Sequence, residues 1–201
     1  MYEPVPHGRV EVISGCMFAG KTEELLRRLR RAEIAGESVV TFSPSTDTRY
    51  GDGTICTHTH AATRGTHGAS CEATSIDPED TNSLTEAFEL GAEADVVGID
   101  EANFFSSNIA SFVEDLADAG CRVIVSGTDQ TFRGEPFEPM GDLMAIADKV
   151  TKLSAICVCC GCQATRNQRL IDGEPAPRSS PTILVGGDES YEARCRSCHE
   201  V

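Results

Sequence analysis

The sequence predicts an α/β fold in which helices cover a parallel β-sheet, followed by a small cysteine-rich unit. Strand-like apolar runs alternate with helical runs through the first 150 residues, and a phosphate-loop motif stands between the first strand and the first helix. Six of the ten cysteines lie after residue 156. A length of 201 residues suits one such domain with an appendage, so we place the domains at 1–150 and 151–201.

Four strands and three helices are predicted in the first domain, with a further edge strand at 149–156. The strands are 10–13, 38–42, 95–99 and 122–126, and the helices are 23–35, 83–90 and 109–119. Gly36, Gly91 and Gly120 stand where the three helices should end, because glycine readily closes a helix. The segment 44–69 has little apolar periodicity and is too long for a simple connection, which predicts a lid loop.

A phosphate-binding loop is predicted at 15–22, directly after the first strand. The motif G-x-x-x-x-G-K-[ST] is filled by Gly15, Cys16, Met17, Phe18, Ala19, Gly20, Lys21 and Thr22. Backbone amides of such a loop wrap a polyphosphate, while Lys21 reaches its β- and γ-oxygens and the Thr22 hydroxyl binds Mg²⁺. An ordinary glycine-containing turn could match the same motif, but the predicted strand before it and the predicted helix after it favour a phosphate-binding loop. The sequence therefore predicts a nucleotide-binding site.

Two carboxylates end the third predicted strand. Asp100 and Glu101 follow the apolar run 95–99, at the sheet edge where parallel α/β proteins bind ligands. Alone, such a pair is more typical of a solvated strand end. Behind a phosphate loop, Asp100 is the expected carboxylate of the Mg²⁺ site and Glu101 is a candidate general base.

Paired cysteines in the second domain predict a structural zinc site. The pairs are Cys157 with Cys160 and Cys195 with Cys198. Two C-x-x-C pairs together suit one tetrahedral Zn²⁺, and a redox dithiol explains them less well. Cys159 and Cys162 offer an overlapping pair and His199 could replace a thiolate, so the ligand set stays open at this point.

The composition is strongly acidic, with 32 acidic and 17 basic residues and a net charge of −15. Only three residues are lysine. Such a surface repels nucleic acid and anionic membranes, and it is similar to the surfaces of proteins from salt-loving organisms. The alternative is an acidic protein of a mesophile with a neutralising partner. No apolar run approaches a membrane span, and the first residues lack the pattern of a secretory signal, so we expect a cytoplasmic protein.

Further motifs occur in a fixed order along nearly the whole chain. They are the phosphate loop with Met17, Asp47-Thr48-Arg49-Tyr50, Cys56-Thr57-His58, Gly98-Ile99-Asp100-Glu101, Asp129-x-x-Phe132, the paired cysteines, and Gly186-Gly187 before Tyr191. This set resembles the type II thymidine kinases. The resemblance implies ATP- and Mg²⁺-dependent transfer of a γ-phosphoryl group to the 5′-hydroxyl of thymidine. It also implies a P-loop, RecA-like parallel sheet core, a small C-terminal zinc-binding lasso domain and a homotetramer.

The resemblance assigns roles residue by residue. Glu101 would be the base, with Lys21 and Arg49 supplying positive charge to the transferred phosphoryl group. Beyond the phosphate loop, the ATP and Mg²⁺ site would include Asp47, Thr48, Arg49, Asp100, Glu101, Ala102 and Asn103. The thymidine site would consist of Met17, Phe104, Thr128, Phe132, Phe137, Asn167, Thr182, Ile183, Leu184, Val185, Gly186 and Tyr191. The zinc ligands would be Cys157, Cys160, Cys195 and Cys198.

Three residues depart from the usual pattern of that family: Asn103 replaces Gln, Thr128 replaces Leu and Asn167 replaces Thr. The last two should make the base pocket more polar, which leaves deoxyuridine open as an acceptor. Two other functions stay open, namely a zinc-ribbon ATPase or adaptor for another partner and a kinase for a different small molecule. The net charge and the lack of a basic patch with interleaved aromatics argue against a nucleic-acid partner.

Overall fold

A six-stranded parallel sheet forms the core of the protein in the computed structural model, which describes residues 8–45, 54–56, 70–77, 80–182 and 189–201. The described strands are β1 (Arg9–Gly15), β2 (Val39–Pro44), β3 (Thr54–Cys56), β4 (Ser70–Glu72), β5 (Thr74–Ile76), β6 (Val96–Ile99), β7 (Arg122–Thr128), β8 (Lys149–Leu153), β9 (Ala155–Ile156), β10 (Gln163–Ala164), β11 (Arg166–Ile171), β12 (Glu174–Pro175) and β13 (Glu189–Arg194). The described helices are α1 (Lys21–Ala35), α2 (Thr81–Ala92), α3 (Ile109–Asp118) and α4 (Glu138–Ile146).

The central sheet has the order β5-β2-β6-β7-β1-β8, and each neighbouring pair is parallel. Its inner strands β6 and β7 are almost wholly buried, as expected for a sheet covered on both faces. On one face, α1 packs Leu25 and Leu29 against Ile13, Val96 and Ile124. The other face is covered by α2, α3 and α4. This arrangement confirms the predicted α/β class.

Strands β9 to β13 form a separate group that we call the C-terminal unit. It contains the β9–β10 pair and a three-stranded sheet of order β12-β11-β13. Strand β8 spans the predicted boundary at residue 150 and pairs with β1 of the core sheet. The predicted edge strand 149–156 is therefore two strands, of which β8 belongs to the core and β9 to the C-terminal unit.

One predicted helix end is wrong. Gly36 and Gly120 follow α1 and α3 with φ of 86° and 104°, as predicted, but Gly91 lies inside α2. A Cβ at Gly91 would come within 3.0 Å of a Leu116 methyl carbon, so the glycine lets α2 approach α3 closely. Helix α4 has no counterpart in the prediction, because Pro139 and Gly141 weaken the helical signal. Strands β3, β4, β5 and β10 to β13 were not predicted either. No described helix combines the length and the apolar character needed to cross a membrane.

A buried cluster of charged residues connects the start of β1 to the neighbouring helix and strands. Glu11 is 4% exposed, and its carboxylate accepts hydrogen bonds from Arg28 at 2.8 Å, Arg122 at 2.7 Å and Arg9 at 3.1 Å. Burial alone would raise the pKa of Glu11, but hydrogen bonds from Arg122 and Arg9 and the charges of Arg122 and Arg28 lower it to about 2. Because Arg28 also donates to Thr151 at 2.9 Å, the cluster joins α1, β1, β7 and β8.

Replacing Glu11 with Gln should lower the free energy of unfolding at pH 7 by about 3 kcal/mol, because it removes the buried carboxylate that Arg28 shares with Arg122 and Arg9 and leaves Arg28 paired with the more exposed Glu24. A carboxyl group whose pKa is lowered on folding stabilises the protein above the pKa of the unfolded chain. That contribution is lost as pH falls through the folded value of about 2. Urea titrations should therefore show a difference in the free energy of unfolding between wild type and variant, and this difference should shrink from about pH 4 downward. Equal free energies of unfolding at pH 7, or a difference that does not change with pH, would contradict this prediction. Glu33→Gln, on the exposed side of α1, is the control.

Candidate active site

The predicted phosphate loop lies at the carboxyl end of β1 and leads directly into α1. Gly20 caps the helix with φ 80°, a left-handed conformation that favours glycine. Gly15 passes so close to β8 that a Cβ there would lie 2.6 Å from the Leu153 carbonyl oxygen. The first amides of α1 have no partner within the helix, and the helix dipole favours negative charge at this end. The loop therefore has the geometry of an anion site.

Lys21 places its positive charge inside this loop. Its side chain is buried, and Nζ donates to the carbonyl oxygen of Cys16 at 3.0 Å. Burying an ammonium group costs free energy unless hydrogen-bond acceptors surround it. The Cys16 carbonyl is one such acceptor, and the charged oxygens of a phosphate would be stronger ones. Lys21 is thus held where the sequence motif requires it.

Thr22 and Asp100 meet across the sheet edge. The Thr22 hydroxyl donates to Asp100 Oδ2 at 2.9 Å, and the Glu101 amide donates to Asp100 Oδ1 at 2.9 Å. Asp100 is 5% exposed, and burial together with the neighbouring charge of Glu101 raises the pKa of its carboxyl to about 6. A hydroxyl and a carboxylate oxygen are hard donors of the kind Mg²⁺ prefers, and a cation beside them would favour the ionised carboxylate.

Glu101 has an unusual backbone conformation. Its φ of 50° and ψ of 41° are left-handed, which costs a non-glycine residue roughly 1 kcal/mol or more. A short 3₁₀ helix, Ala102–Phe104, follows directly, and within it the Asn103 side-chain oxygen accepts a hydrogen bond from the Thr128 amide at 2.8 Å. Ala102 and Asn103 are buried. The turn that carries Glu101 is therefore fixed to the end of β7, and the half-buried Glu101 stands beside Asp100 at the loop.

The side chain of Asn167, predicted to face the base, contacts the backbone instead. Its Oδ1 accepts from the Met17 amide at 2.7 Å, and its Nδ2 donates to the Gln130 carbonyl at 2.6 Å. Asn167 is 3% exposed. It therefore links β11 to the phosphate loop and to the turn after β7.

Two guanidinium groups lie over the ring of Phe132, an arrangement that we call the clamp. Cζ of Arg133 lies 4.6 Å and Cζ of Arg169 lies 5.3 Å from the ring centroid. Arg133 also donates to the Arg178 carbonyl at 2.8 Å and to the Thr182 hydroxyl at 2.8 Å, and it contacts the Ser180 carbonyl. Arg169 donates to the Pro181 carbonyl at 2.6 Å. The clamp thus holds segment 178–182 beside the buried Phe132 ring.

The remaining predicted pocket residues fall into two groups. Within the described part of the chain, Phe104 and Phe137 are half-buried, Thr128 is buried, and Tyr191 pairs with Arg169 across β11 and β13. Asp47, Thr48, Arg49, Ile183, Leu184, Val185 and Gly186 lie outside the described residues. The same holds for most of the predicted lid, of which β3 is described, paired antiparallel with β4.

Four cysteines converge in the C-terminal unit. The sulfurs of Cys157, Cys160, Cys195 and Cys198 all lie within 4.8 Å of one another. A backbone hydrogen bond from Cys195 is the main cause that lowers the pKa of Cys157 to about 6, whereas the side-chain hydrogen bond with Cys195 raises the pKa of Cys198 to about 11. The sulfurs are therefore close enough to share protons with one another. Cys159 and Cys162 are exposed, and the His199 ring nitrogen Nε2 contacts the Phe132 carbonyl at 2.8 Å. In the described residues, the geometry therefore favours the four-cysteine set over the alternatives that the sequence left open.

Sequence reasoning missed the contacts of Arg133, Arg169 and His199. Each is a long-range contact, and local spacing does not encode such contacts. One signal was available, because Arg133 directly follows Phe132 of the Asp-x-x-Phe motif in a chain with few basic residues.

Comparison with known proteins gives a consistent result. The family model described as thymidine kinase matches residues 8–199. The chain is 55% identical over 194 residues to a thymidine kinase of Halobacterium salinarum strain R1, covering 96% of this chain and 95% of that protein. It is 49% identical over 221 residues to a thymidine kinase of Haloquadratum walsbyi, covering 96% and 95%. Both relatives come from halophilic archaea, which agrees with the interpretation of the acidic composition.

Proposed function

This chain belongs to the thymidine kinase family, and we propose that it transfers the γ-phosphoryl group of ATP to the 5′-hydroxyl of thymidine at the carboxyl edge of the central sheet. The observation that carries the proposal is the meeting of the phosphate loop, the Thr22–Asp100 pair and Glu101 at this edge. The product would be thymidine 5′-monophosphate. Deoxyuridine is a second candidate acceptor, because Thr128 stands where the family usually has Leu.

The phosphate loop binds and orients ATP. Its backbone amides and the Lys21 ammonium hold the phosphate oxygens, and the positive charge of Lys21 stabilises the negative charge of the transferred group. Thr22 and Asp100 are the residues that would hold Mg²⁺, which neutralises phosphate charge when bound. Arg49 is a further candidate for transition-state stabilisation, on the family resemblance.

Glu101 accepts the proton of the 5′-hydroxyl as that oxygen attacks the γ-phosphorus. The surroundings of the two neighbouring carboxylates support Asp100 as the Mg²⁺ ligand and Glu101 as the base. Asp100 is buried and bonded to Thr22, whereas Glu101 is half-buried and its carboxylate is not used in the Thr22 contact. The fixed left-handed turn holds Glu101 at one position, and such positioning is the main requirement in phosphoryl transfer.

The four-cysteine cluster is proposed to hold one structural Zn²⁺ that closes the C-terminal unit. The clustered sulfurs fit a tetrahedral thiolate site, and a closed four-thiolate site has no open position for chemistry. The thymine would be gripped by the segment 182–186 with Tyr191, and by walls from Met17, Phe104, Phe132 and Phe137. A cytoplasmic location and a homotetramer are proposed on the family resemblance.

Purified protein should contain one Zn²⁺ per chain by metal analysis. Cys195→Ser should lose the metal and raise the KM for thymidine on the order of tenfold, because the segment that grips the base starts from the unit that the metal closes. Cys162→Ser is the matched control, since Cys162 is exposed and lies outside the cluster. Protein without zinc, or equal behaviour of the two variants, would contradict the proposed site.

The proposed activity is tested with ADP release measured against a panel of acceptors. We expect ATP turnover to depend on thymidine, with kcat/KM for deoxyuridine lower by only a factor of a few. A full methyl contact contributes about 1–3 kcal/mol to discrimination, and Thr128 in place of Leu should weaken that contact here. Purine nucleosides should be inactive. The assay is run at low and high KCl because the relatives come from halophiles. Turnover that responds to a polynucleotide and to no nucleoside would favour the zinc-ribbon ATPase or adaptor instead.

A further inference from the structure

The phosphate loop rests on the C-terminal unit as well as on the core sheet. Cys16 is 1% exposed and packs among Ala155, Cys157, Ala164 and Ala193, and its thiol donates to the Ala164 carbonyl at 3.4 Å. The next residue, Met17, donates its amide to Asn167 Oδ1 at 2.7 Å. Cys16 and Met17, the second and third residues of the loop, are therefore held by β10 and β11, and not by the core alone.

The Met17 contact lies where the loop needs restraint. Phe18 follows with φ 64°, a left-handed conformation that a non-glycine residue keeps when its surroundings impose it. The hydrogen bond that the Met17 amide donates to Asn167 Oδ1 fixes the peptide one residue earlier. Because the Met17 amide is already used, the amides that remain for phosphate oxygens lie further along the loop and at the start of α1. The bond therefore selects which part of the loop faces the phosphates.

Asn167 also restrains the turn that carries Phe132. Its Nδ2 donates to the Gln130 carbonyl at 2.6 Å. The preceding residue on β11, Arg166, contacts the Gln130 side chain and donates to the Gly134 carbonyl at 3.2 Å. One buried side-chain amide thus connects the phosphate loop with the turn that carries a proposed wall of the nucleoside pocket.

We propose that Asn167 is a positioning residue that sets the conformation of the phosphate loop for ATP, and that it does not act as a contact for the thymine base. The inference deepens the proposed function and rests on it for the identity of the nucleotide. Both polar atoms of the amide are engaged with backbone at 2.6 and 2.7 Å, in a side chain that is 3% exposed. Removing the amide takes away the hydrogen-bond partner of the Met17 N–H at the loop itself and of the Gln130 carbonyl oxygen at the Phe132 turn, both of which are partly buried.

The neighbouring residue Gln168 provides a matched control. It is also a buried amide on β11, 1% exposed, and it also bonds to backbone: Nε2 donates to the Glu200 carbonyl at 2.8 Å and to the Arg169 carbonyl at 3.2 Å, and Oε1 accepts from the Glu200 amide at 2.8 Å. Its partners are the C-terminal segment and the next residue of β11, and not the phosphate loop. If weaker ATP binding came only from lower stability, it should therefore appear in variants of both residues.

The test measures the Kd of ATP in the absence of nucleoside, together with Tm, for Asn167→Leu, Asn167→Ala and Gln168→Ala. Leu keeps the branching of Asn at Cγ and fills the site while it removes the hydrogen bonds, so it reports on the contacts if the Ala variant folds poorly. We expect both Asn167 variants to weaken ATP binding about tenfold. Gln168→Ala should lower Tm by a similar amount and keep the Kd of ATP within about twofold of wild type.

A second readout separates positioning from base contact. The ratio of kcat/KM for thymidine to that for deoxyuridine should be the same in Asn167→Leu and in wild type. An altered ratio with normal ATP binding would assign Asn167 to the base pocket and overturn the proposal. Equal weakening of ATP binding in the Gln168 and Asn167 variants would also overturn it. Because the Kd is measured without an acceptor, the outcome does not depend on thymidine being the substrate.

Discussion

Replacing Glu101 with Gln lowers kcat by about 10²-fold or more if Glu101 is the general base, while the Kd of ATP stays close to that of wild type. The amide has nearly the same shape as the carboxylate but cannot accept the proton of the 5′-hydroxyl. ATP binding should persist because the phosphate loop, Lys21 and the Thr22–Asp100 contact are untouched.

Single-turnover kinetics with saturating ATP and thymidine measure the effect on chemistry directly. Glu114→Gln, on the exposed side of α3, is the matched control for loss of one carboxylate and should behave as wild type. A Glu101→Gln enzyme with nearly normal turnover would show that the base lies elsewhere. A large loss of ATP affinity would instead place Glu101 in the nucleotide site.

Replacing Lys21 with Met should lower kcat/KM for ATP by roughly 10²–10³-fold, the usual cost of removing one preorganised donor from developing negative charge. The effect should appear in both ATP affinity and kcat, because Lys21 binds the phosphates in the ground state and stabilises the transferred group. The Met side chain has a similar length, so packing against the loop is largely kept.

Steady-state kinetics and ATP titration test this second expectation. Lys149→Met is the matched control, since Lys149 is an exposed lysine on β8. Unchanged kinetics in the Lys21 variant would remove the Lys21 ammonium from the mechanism. A stability loss without a kinetic effect would assign Lys21 a structural role through its contact with the Cys16 carbonyl.

The core of the fold follows from local pattern. Buried parallel strands appear as short apolar runs, so β1, β2, β6 and β7 were predicted within two residues at either end. The phosphate loop was predicted because its glycines and Lys21 have fixed spacing between a strand and a helix. Helix α4 was not predicted, because Pro139 and Gly141 obscure its periodicity.

The C-terminal half of the site depends on contacts between distant parts of the chain. The spacing of the cysteines predicted a metal site, but the choice between Cys162 and Cys160 required the folded positions of the sulfurs. Asn167 was predicted to face the base, since its position in the motif does not reveal that Met17 and Gln130 lie on either side of its amide. The clamp of Arg133 and Arg169 on Phe132 likewise joins residues that no local pattern connects.

The central claim is that this site phosphorylates the 5′-hydroxyl of thymidine, and identification of the product tests it most directly. Purified protein is incubated with ATP, Mg²⁺ and either thymidine, 3′-deoxythymidine or 5′-deoxythymidine, and the products are identified by ³¹P NMR and mass spectrometry. The account predicts one thymidine 5′-monophosphate for each ADP from thymidine, a 5′-monophosphate from 3′-deoxythymidine, and no product from 5′-deoxythymidine. ATP hydrolysis that proceeds equally with all three compounds, or a phosphorylated product from 5′-deoxythymidine, would contradict it.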